Sequence, residues 1–131
     1  MVNEGFNSYQ EAFDAVALHM KTQGGRAYDA RQGCKYLTDD GLKCNIGAFI
    51  PDGHLSQRST CSFDYLISDY PDLKSIFSIA KRFNKKVEYF WRECQKLHDT
   101  ADDYFVPTIL HEIKQYGVDT SVMDTFAFDR S

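Results

Sequence analysis

The sequence has no apolar run near the roughly 20 residues that cross a bilayer as a helix. Its first residues include neither the basic nor the apolar stretch of a signal peptide. We therefore expect no membrane segment and a location in the cytoplasm of the cell that makes the protein. In that compartment the four cysteines, Cys34, Cys44, Cys61 and Cys94, are expected to be reduced thiols.

The common catalytic and cofactor motifs are also absent. There is no phosphate-binding loop, no dinucleotide fingerprint, no nucleophile elbow and no paired-histidine metalloprotease motif. These absences disfavour the commonest nucleotide-dependent and hydrolytic enzymes, and we expect no cofactor. On the sequence alone, a binding protein is favoured over an enzyme.

Basic charge is scarce and dispersed, since 15 Lys and Arg stand against 19 Asp and Glu, for a formal net charge of -4. Proteins that bind duplex nucleic acid normally gather basic residues into a patch, because phosphate contacts dominate their affinity. The densest basic stretch, Lys81, Arg82, Lys85 and Lys86, is short and typical of a solvated helix face. We expect no general nucleic-acid binding.

The chain does contain enough apolar residues for one core: 131 residues, of which 43% are hydrophobic and 15% aromatic. This length fits a single domain, and the aromatic content argues against disorder. We predict one α+β domain over residues 1–131, with its core at about 8–117. The tail, 118–131, is expected to pack on the domain or on a partner.

An N-terminal helix is predicted from a start signal, an apolar stripe and a stop signal. Ser8 and Glu11 have the spacing of a capping box, in which each side chain binds the other residue's backbone amide. Gly24-Gly25 ends the helix. Its apolar stripe contains Phe13, Val16, Ala17 and Met20.

Three to four helices are predicted in the second half of the chain. A short one ends at Pro71, and apolar spacing predicts another over 73–83. The longest begins after Asn84 as its cap. The last one tolerates Pro107 because this residue lies in the first turn, and it ends at Gly117.

A two-stranded β-hairpin is predicted between these helical regions. A three-residue loop ending in Gly41 pairs Tyr36 with Cys44 and Cys34 with Ile46, which puts these four side chains on one buried face. A two-residue turn would split them between the two faces, so the three-residue loop is favoured. In this register Cys34 and Cys44 lie about 7 Å apart, too far for a disulfide.

The cysteine spacing does not predict a metal site. Structural zinc sites usually offer two ligands separated by two residues, and no such pair occurs here. We expect no bound metal. If one were found, Cys34, Cys44 and His54 would be the first ligands to test.

Two interpretations of one residue cluster stay open. In the first, Cys44 is a nucleophile, His98 its base, and Asp52 or Asp99 the partner of the histidine. In the second, His98 is buried on the apolar stripe that it shares with Cys94, and a hydrogen bond to Asp52 holds the hairpin to the long helix.

Four aromatic residues fall outside the predicted apolar stripes. They are Tyr28, Phe49, Phe126 and Phe128. Exposed aromatic side chains often anchor a partner protein or stack on a base. We take these four as candidate binding residues.

Residues 33–52 resemble a motif in small proteins of tailed bacteriophages and prophages. The motif is Cys-x-Tyr followed by Gly-x-x-Cys-x-x-Gly-x-x-Ile-Pro-Asp, and those proteins also carry a Gln and a His-Asp pair in a later helix. Here the later part is Gln95 and His98-Asp99. The similarity covers about 8–117, and the chain departs from the pattern at Asn45 and in the segment after Asp52.

The resemblance implies a phage accessory protein that acts in the host cytoplasm. We expect it to bind and inhibit or modulate a host protein, such as an anti-phage defence component. The acidic net charge would suit a basic partner, including one that handles nucleic acid. The resemblance also groups Cys34, Cys44, Asp52, His98 and Asp99 as one candidate site.

A rival function belongs to a different class. It is a cysteine- and histidine-dependent enzyme, or a binder of a small ligand such as a nucleotide signal. Either would use a pocket between Cys44 and His98.

Overall fold

The computed structural model describes residues 5–23, 28–29, 33–34, 43–51, 54, 63–99 and 106–123, without the side chains of 28–29, 33–34, 98 and 99. The α-helices in these ranges are α1 (Tyr9–Gln23), α2 (Phe63–Asp69), α3 (Lys74–Phe77), α4 (Lys85–Asp99) and α5 (Val106–Lys114). Short 3-10 turns occur at Gly47–Phe49, Pro71–Leu73 and Ser121–Met123. None of these helices is long and apolar enough to span a membrane.

The predicted α+β fold is wrong, because the described residues are predominantly helical and the predicted hairpin is not among them. Apart from isolated bridges, strand pairing in these ranges is limited to two residues on each side. β1 (Tyr28–Asp29) lies antiparallel to β2 (Gly33–Cys34). Cys34 is therefore paired with Tyr28, and not with Ile46 as predicted.

Residues 44–47 show why the hairpin pattern failed. All four are buried in succession, whereas a strand that covers a core with one face buries alternate residues. The amide of Ala48 donates to the carbonyl of Cys44 at 3.0 Å, and a 3-10 turn follows. Cys44 and Ile46 are core residues, as predicted, but they reach the core from a turn.

The predicted starts of α1 and α4 are confirmed by their caps. The amide of Glu11 donates to Ser8 Oγ at 3.1 Å, and the amide of Val87 donates to Asn84 Oδ1 at 3.0 Å. The last helix ends before Gly117, as predicted. This glycine has a φ of 79°, in the left-handed region that glycine adopts without strain.

The helix predicted over 73–83 is wrong beyond its first turn. After α3 the backbone of Ile79 exchanges two hydrogen bonds with Arg82, at 2.9 and 3.0 Å. Phe6 forms a parallel bridge to Ile79 on the other side. This pairing joins segments about 70 residues apart in sequence, so a tertiary contact overrides the local helical pattern.

Trp91 of α4 lies at the centre of the core. It is fully buried, and its Nε1 donates to the carbonyl of Phe77 at 2.8 Å. The rings of Phe6, Phe49 and Phe90 lie around it with centroid distances of 5.5 to 5.6 Å. One side chain thereby joins α4 to α3, to the 3-10 turn after Ile46 and to the segment before α1.

Residues beyond 117 also contribute to the core. Val118 and Met123 are buried. The side chain of Gln10 on α1 accepts from the amide of Asp119 at 2.7 Å and donates to its carbonyl at 3.1 Å. Phe126 and Phe128 lie outside the described residues.

The Ile79–Arg82 turn generates a prediction about stability. Its central residues, Ala80 and Lys81, are exposed and have φ values of 53° and 64°, which cost an ordinary L-residue about 1 kcal/mol. Asn-Gly is the pair that such turns favour. We expect the double substitution Ala80→Asn, Lys81→Gly to raise the free energy of unfolding by about 1 kcal/mol in urea denaturation.

The control places an unsuitable residue in the same turn. Lys81→Val puts a β-branched side chain at positive φ and should lower the free energy of unfolding. Equal stability of the wild type and both variants would show that this turn is not strained.

Candidate functional site

Of the residues predicted to share one site, only Cys44 has a described side chain. Those of Cys34, Asp52, His98 and Asp99 lie outside the described residues, as do the side chain of Tyr28 and the whole of Phe126 and Phe128. Of this set, Cys44 is therefore the residue whose contacts and exposure the structure describes.

Cys44 is enclosed by the core. Its side chain is 0% exposed, and its Sγ accepts a hydrogen bond from the amide of Gly47 at 3.2 Å. A nucleophilic cysteine must form a thiolate and reach its substrate. Burial opposes both, so the geometry gives Cys44 a packing and turn-capping role.

Backbone groups of residues 43–46 are bound by side chains from α1 and α4. The Lys43 amide donates to Gln23 Oε1, and its carbonyl accepts from Gln23 Nε2, both at 2.7 Å. His19 Nε2 also donates to that carbonyl at 2.7 Å, which requires its hydrogen on Nε2. The amide of Ile46 donates to Gln95 Oε1 at 3.3 Å.

Asn45 is a fully buried polar side chain in the same segment. Its Nδ2 donates to the carbonyl of Cys94 at 2.8 Å and lies 3.2 Å from the sulfur of Met20. Within the described part of the chain its Oδ1 has no hydrogen-bond partner. Asn45 thus connects the 43–50 segment to α4 at the cost of one unsatisfied acceptor.

The second described thiol, that of Cys94, is also fully buried. Burial raises its pKa far above the ordinary value, and the charge of Glu93 raises it further. The thiol is therefore uncharged at neutral pH. Neither Cys44 nor Cys94 resembles the exposed, low-pKa cysteine of a catalytic site.

His54, a candidate metal ligand, is bound to a carboxylate. Its Nε2 lies 2.8 Å from Asp72 Oδ2, and its ring lies 5.3 Å from that of Tyr70. This contact joins residue 54 to the corner between α2 and α3. No group of three or more His, Cys, Asp or Glu side chains that could hold a metal ion occurs among the described residues.

Phe49, a candidate binding residue, belongs to the aromatic core. It is partly buried and packs edge-on against Phe6, Phe77 and Trp91, with ring centroids 5.5 to 6.4 Å apart. Most of the surface of this ring contacts other side chains of the core and not solvent.

The exposed candidate surface is a groove of about 550 Å³ between α4 and α5. Its lining residues are Lys86, Tyr89, Arg92, Glu93, Lys96, Glu112, Gln115 and Tyr116. We call this surface the α4–α5 groove. It combines cations, carboxylates and tyrosine rings, of which Tyr89 is 50% exposed.

Two cations of the groove lie over tyrosine rings. Lys86 Nζ is 5.5 Å from the ring centroid of Tyr9 and 5.8 Å from that of Tyr116. Arg92 Cζ is 5.7 Å from the ring centroid of Tyr89. These contacts restrict two otherwise flexible side chains.

The tyrosine rings beneath Lys86 are themselves fixed. The rings of Tyr9 and Tyr116 lie 5.1 Å apart, and each contacts the buried ring of Phe90, at 5.0 and 5.3 Å. Burial raises the pKa of both phenols, and Glu93 adds to the rise at Tyr116. Both rings are therefore neutral and held in place by the core.

The sequence predicts a solvated helix face at Lys85 and Lys86 and does not predict the groove. A signal was nevertheless available. Tyr89 stands between Lys86 and Arg92 at spacings of three residues, so an aromatic ring lies on the polar side of the most amphipathic helix.

No protein-family model, curated protein or solved structure matched the chain.

Asn45 generates a prediction about charge burial. In Asn45→Asp, a carboxylate oxygen replaces the amide that donates to Cys94, and a charge is introduced at a fully buried position. We expect the free energy of unfolding at neutral pH to fall by about 3 kcal/mol or more.

The loss should depend on pH, because burial raises the pKa of the new carboxyl above its unfolded value. The penalty is then small at about pH 4, grows through the interval between the two pKa values, and is complete at higher pH. Urea denaturation at several pH values measures this. The matched control is Asn84→Asp, which keeps an N-cap oxygen at an exposed helix start and should be nearly neutral.

Thiol burial is tested directly by alkylation. Native protein treated with iodoacetamide at about pH 8 should stay unmodified at Cys44 and Cys94, and both should react in urea, since the thiolate is the reactive form. Mass spectrometry of tryptic peptides assigns the sites. Rapid native labelling of Cys44 would show an accessible thiolate and would favour the enzyme hypothesis.

Proposed function

We propose that the chain is a phage-encoded accessory protein that binds and inhibits or modulates a host protein, such as a component of an anti-phage defence. The observation that carries the proposal is a contrast between two sets of side chains. The described thiols, Cys44 and Cys94, are enclosed by the core, whereas the α4–α5 groove presents ordered aromatic and charged side chains at the surface.

The composition of the groove supports binding to a protein. Tyr and Arg are enriched among the residues that dominate protein–protein affinity, because they offer a large contact area together with hydrogen bonding. Tyr89 and Arg92 are such residues, and they already contact each other. Binding would therefore require less ordering of side chains than a flexible surface requires.

Residues 33–52, which carry the phage resemblance, support the phage origin in the proposal and are not the proposed binding surface. Within this motif, residues 43–46 are joined by hydrogen bonds to α1 and α4. A motif with this position specifies the fold and leaves other surfaces to contact a partner. The phage origin, implied by the resemblance, makes a host protein the expected partner.

The net charge of -4 belongs to the whole chain and differs in sign from the charge of the region that includes α4. Between Lys74 and Lys96 the sequence has seven basic and two acidic residues, so the rest of the chain holds eight basic and 17 acidic residues. A basic partner would suit the acidic remainder. Four of these seven basic residues lie on α4, and three of the four, Lys86, Arg92 and Lys96, line the groove.

The experiment compares retention of a host protein by matched variants. Tagged wild-type protein and Cys44→Ala are expressed in a bacterium that the phage infects, and proteins that co-purify stoichiometrically are quantified by mass spectrometry. If function is binding, both chains retain the same host protein to a similar extent, provided that Cys44→Ala is folded at the assay temperature.

Two results would contradict the proposal. One is the absence of any stoichiometric host protein with the wild type. The other is a folded Cys44→Ala chain that loses the effect of the wild type on phage growth, which would indicate thiol chemistry.

A further inference from the structure

We propose that the α4–α5 groove recognises an acidic segment of its protein partner, in which two carboxylates flank an apolar or aromatic side chain. The inference deepens the proposed function and rests on it for its biological setting. The chemistry of the segment follows from the charges, rings and spacing of the groove.

The first observation is that two cations of the groove have no carboxylate partner among the residues that the structure describes. Lys96 is paired with Glu93 at 2.9 Å. Lys86 and Arg92, in contrast, form no ion pair with any residue in the described ranges, and each lies over a tyrosine ring. Their charges are available to an incoming anion.

The second observation is the spacing of these cations. Lys86 and Arg92 are six residues apart on α4, which corresponds to about 9 Å along the helix axis. Tyr89 lies between them and is 50% exposed. In an extended peptide alternate side chains share a face, so residues i, i+2 and i+4 point to the same side over about 13 Å. Carboxylates at i and i+4 can therefore reach Lys86 and Arg92 through their flexible side chains, with an apolar side chain at i+2 beside the Tyr89 ring.

The third observation distinguishes a peptide from a nucleic acid. Glu93 and Glu112 also line the groove. A nucleic-acid strand carries a negative charge at every nucleotide and would bring phosphates close to these carboxylates. A peptide can place neutral residues there and carboxylates only where Lys86 and Arg92 lie, so charge complementarity favours an acidic peptide segment.

Preorganisation adds to this complementarity. The Tyr9 and Tyr116 rings beneath Lys86 are fixed by contact with Phe90, and Arg92 is held against Tyr89. Lys and Arg side chains normally lose much rotamer freedom when they bind. Here part of that freedom is already restricted in the free protein, which favours binding.

The probe is a displayed library of random peptides of about 12 residues, selected against the full chain. We expect the selected peptides to be rich in Asp and Glu, with two acidic residues flanking an apolar or aromatic one. Synthetic, fluorescently labelled versions are then titrated with the protein, and binding is followed by fluorescence anisotropy. Raising the salt concentration from about 50 to about 300 mM should weaken binding.

Charge reversal identifies the cations that contact the peptide. Arg92→Glu and Lys86→Glu should each weaken binding by about tenfold or more, as should Tyr89→Ala. The matched control is Lys74→Glu, the same change at an exposed lysine on α3 outside the groove, expected to alter binding by less than about twofold. Overlaid melting curves establish that the variants are folded.

A charge swap excludes an indirect effect. A peptide with Lys in place of the acidic residue that faces Arg92 should bind the Arg92→Glu protein better than the wild type. Three outcomes overturn the inference: no acidic excess among the selected peptides, unchanged affinity of Arg92→Glu and Lys86→Glu, or displacement of the peptide by a single-stranded oligonucleotide.

The host-protein assay separates this inference from the proposed function. If the wild type and Arg92→Glu retain the host protein equally, the binding function stands and the groove is not its surface. If no host protein is retained by the wild type, the proposed function fails, and the peptide titration alone decides whether the groove binds acidic segments.

Discussion

A buried segment without regular structure must find its hydrogen-bond partners inside the protein, and residues 43–46 impose this requirement on α1 and α4. The backbone of Lys43 is bound by His19 and Gln23 of α1, and the amide of Ile46 is bound by Gln95 of α4. Asn45 adds a bond to the carbonyl of Cys94. The two longest helices are thus positioned by what the segment between them needs.

The aromatic cluster around Trp91 meets a second requirement, the exclusion of water from the same interior. Trp91 contacts rings from the segment before α1, from the 3-10 turn at Gly47–Phe49 and from α3. Its Nε1 is satisfied by the carbonyl of Phe77. One helix, α4, therefore contributes both to the hydrogen bonding of residues 43–46 and to the aromatic core, through its inner face.

The outer face of α4 does not take part in the Trp91 cluster or bind residues 43–46. Its side chains are therefore available at the surface, where the candidate binding site lies. Cys94 on the inner side is surrounded by core, and burial raises the pKa of its thiol. Lys86, Tyr89 and Arg92 are exposed: Arg92 packs on the Tyr89 ring, and Lys86 packs on the rings of Tyr9 and Tyr116. The helix that stabilises the fold thus also displays an ordered surface.

The sequence by itself determined the features that depend on residues close to one another in the chain. Ser8 and Asn84 cap α1 and α4 through amides only three residues away, and Gly117 ends α5 because its own backbone adopts a positive φ.

The fold class was decided by contacts between distant residues. Asn45 meets Cys94, and Phe6 meets Ile79, across 49 and more than 70 positions. Local alternation at Cys44 and Ile46 fits a strand as well as a turn, and only the enclosure of residues 44–47 on all sides selects the turn. The spacing on α4 places Tyr89 between two cations, but the groove itself exists only where α5 packs beside α4 and is therefore a tertiary feature.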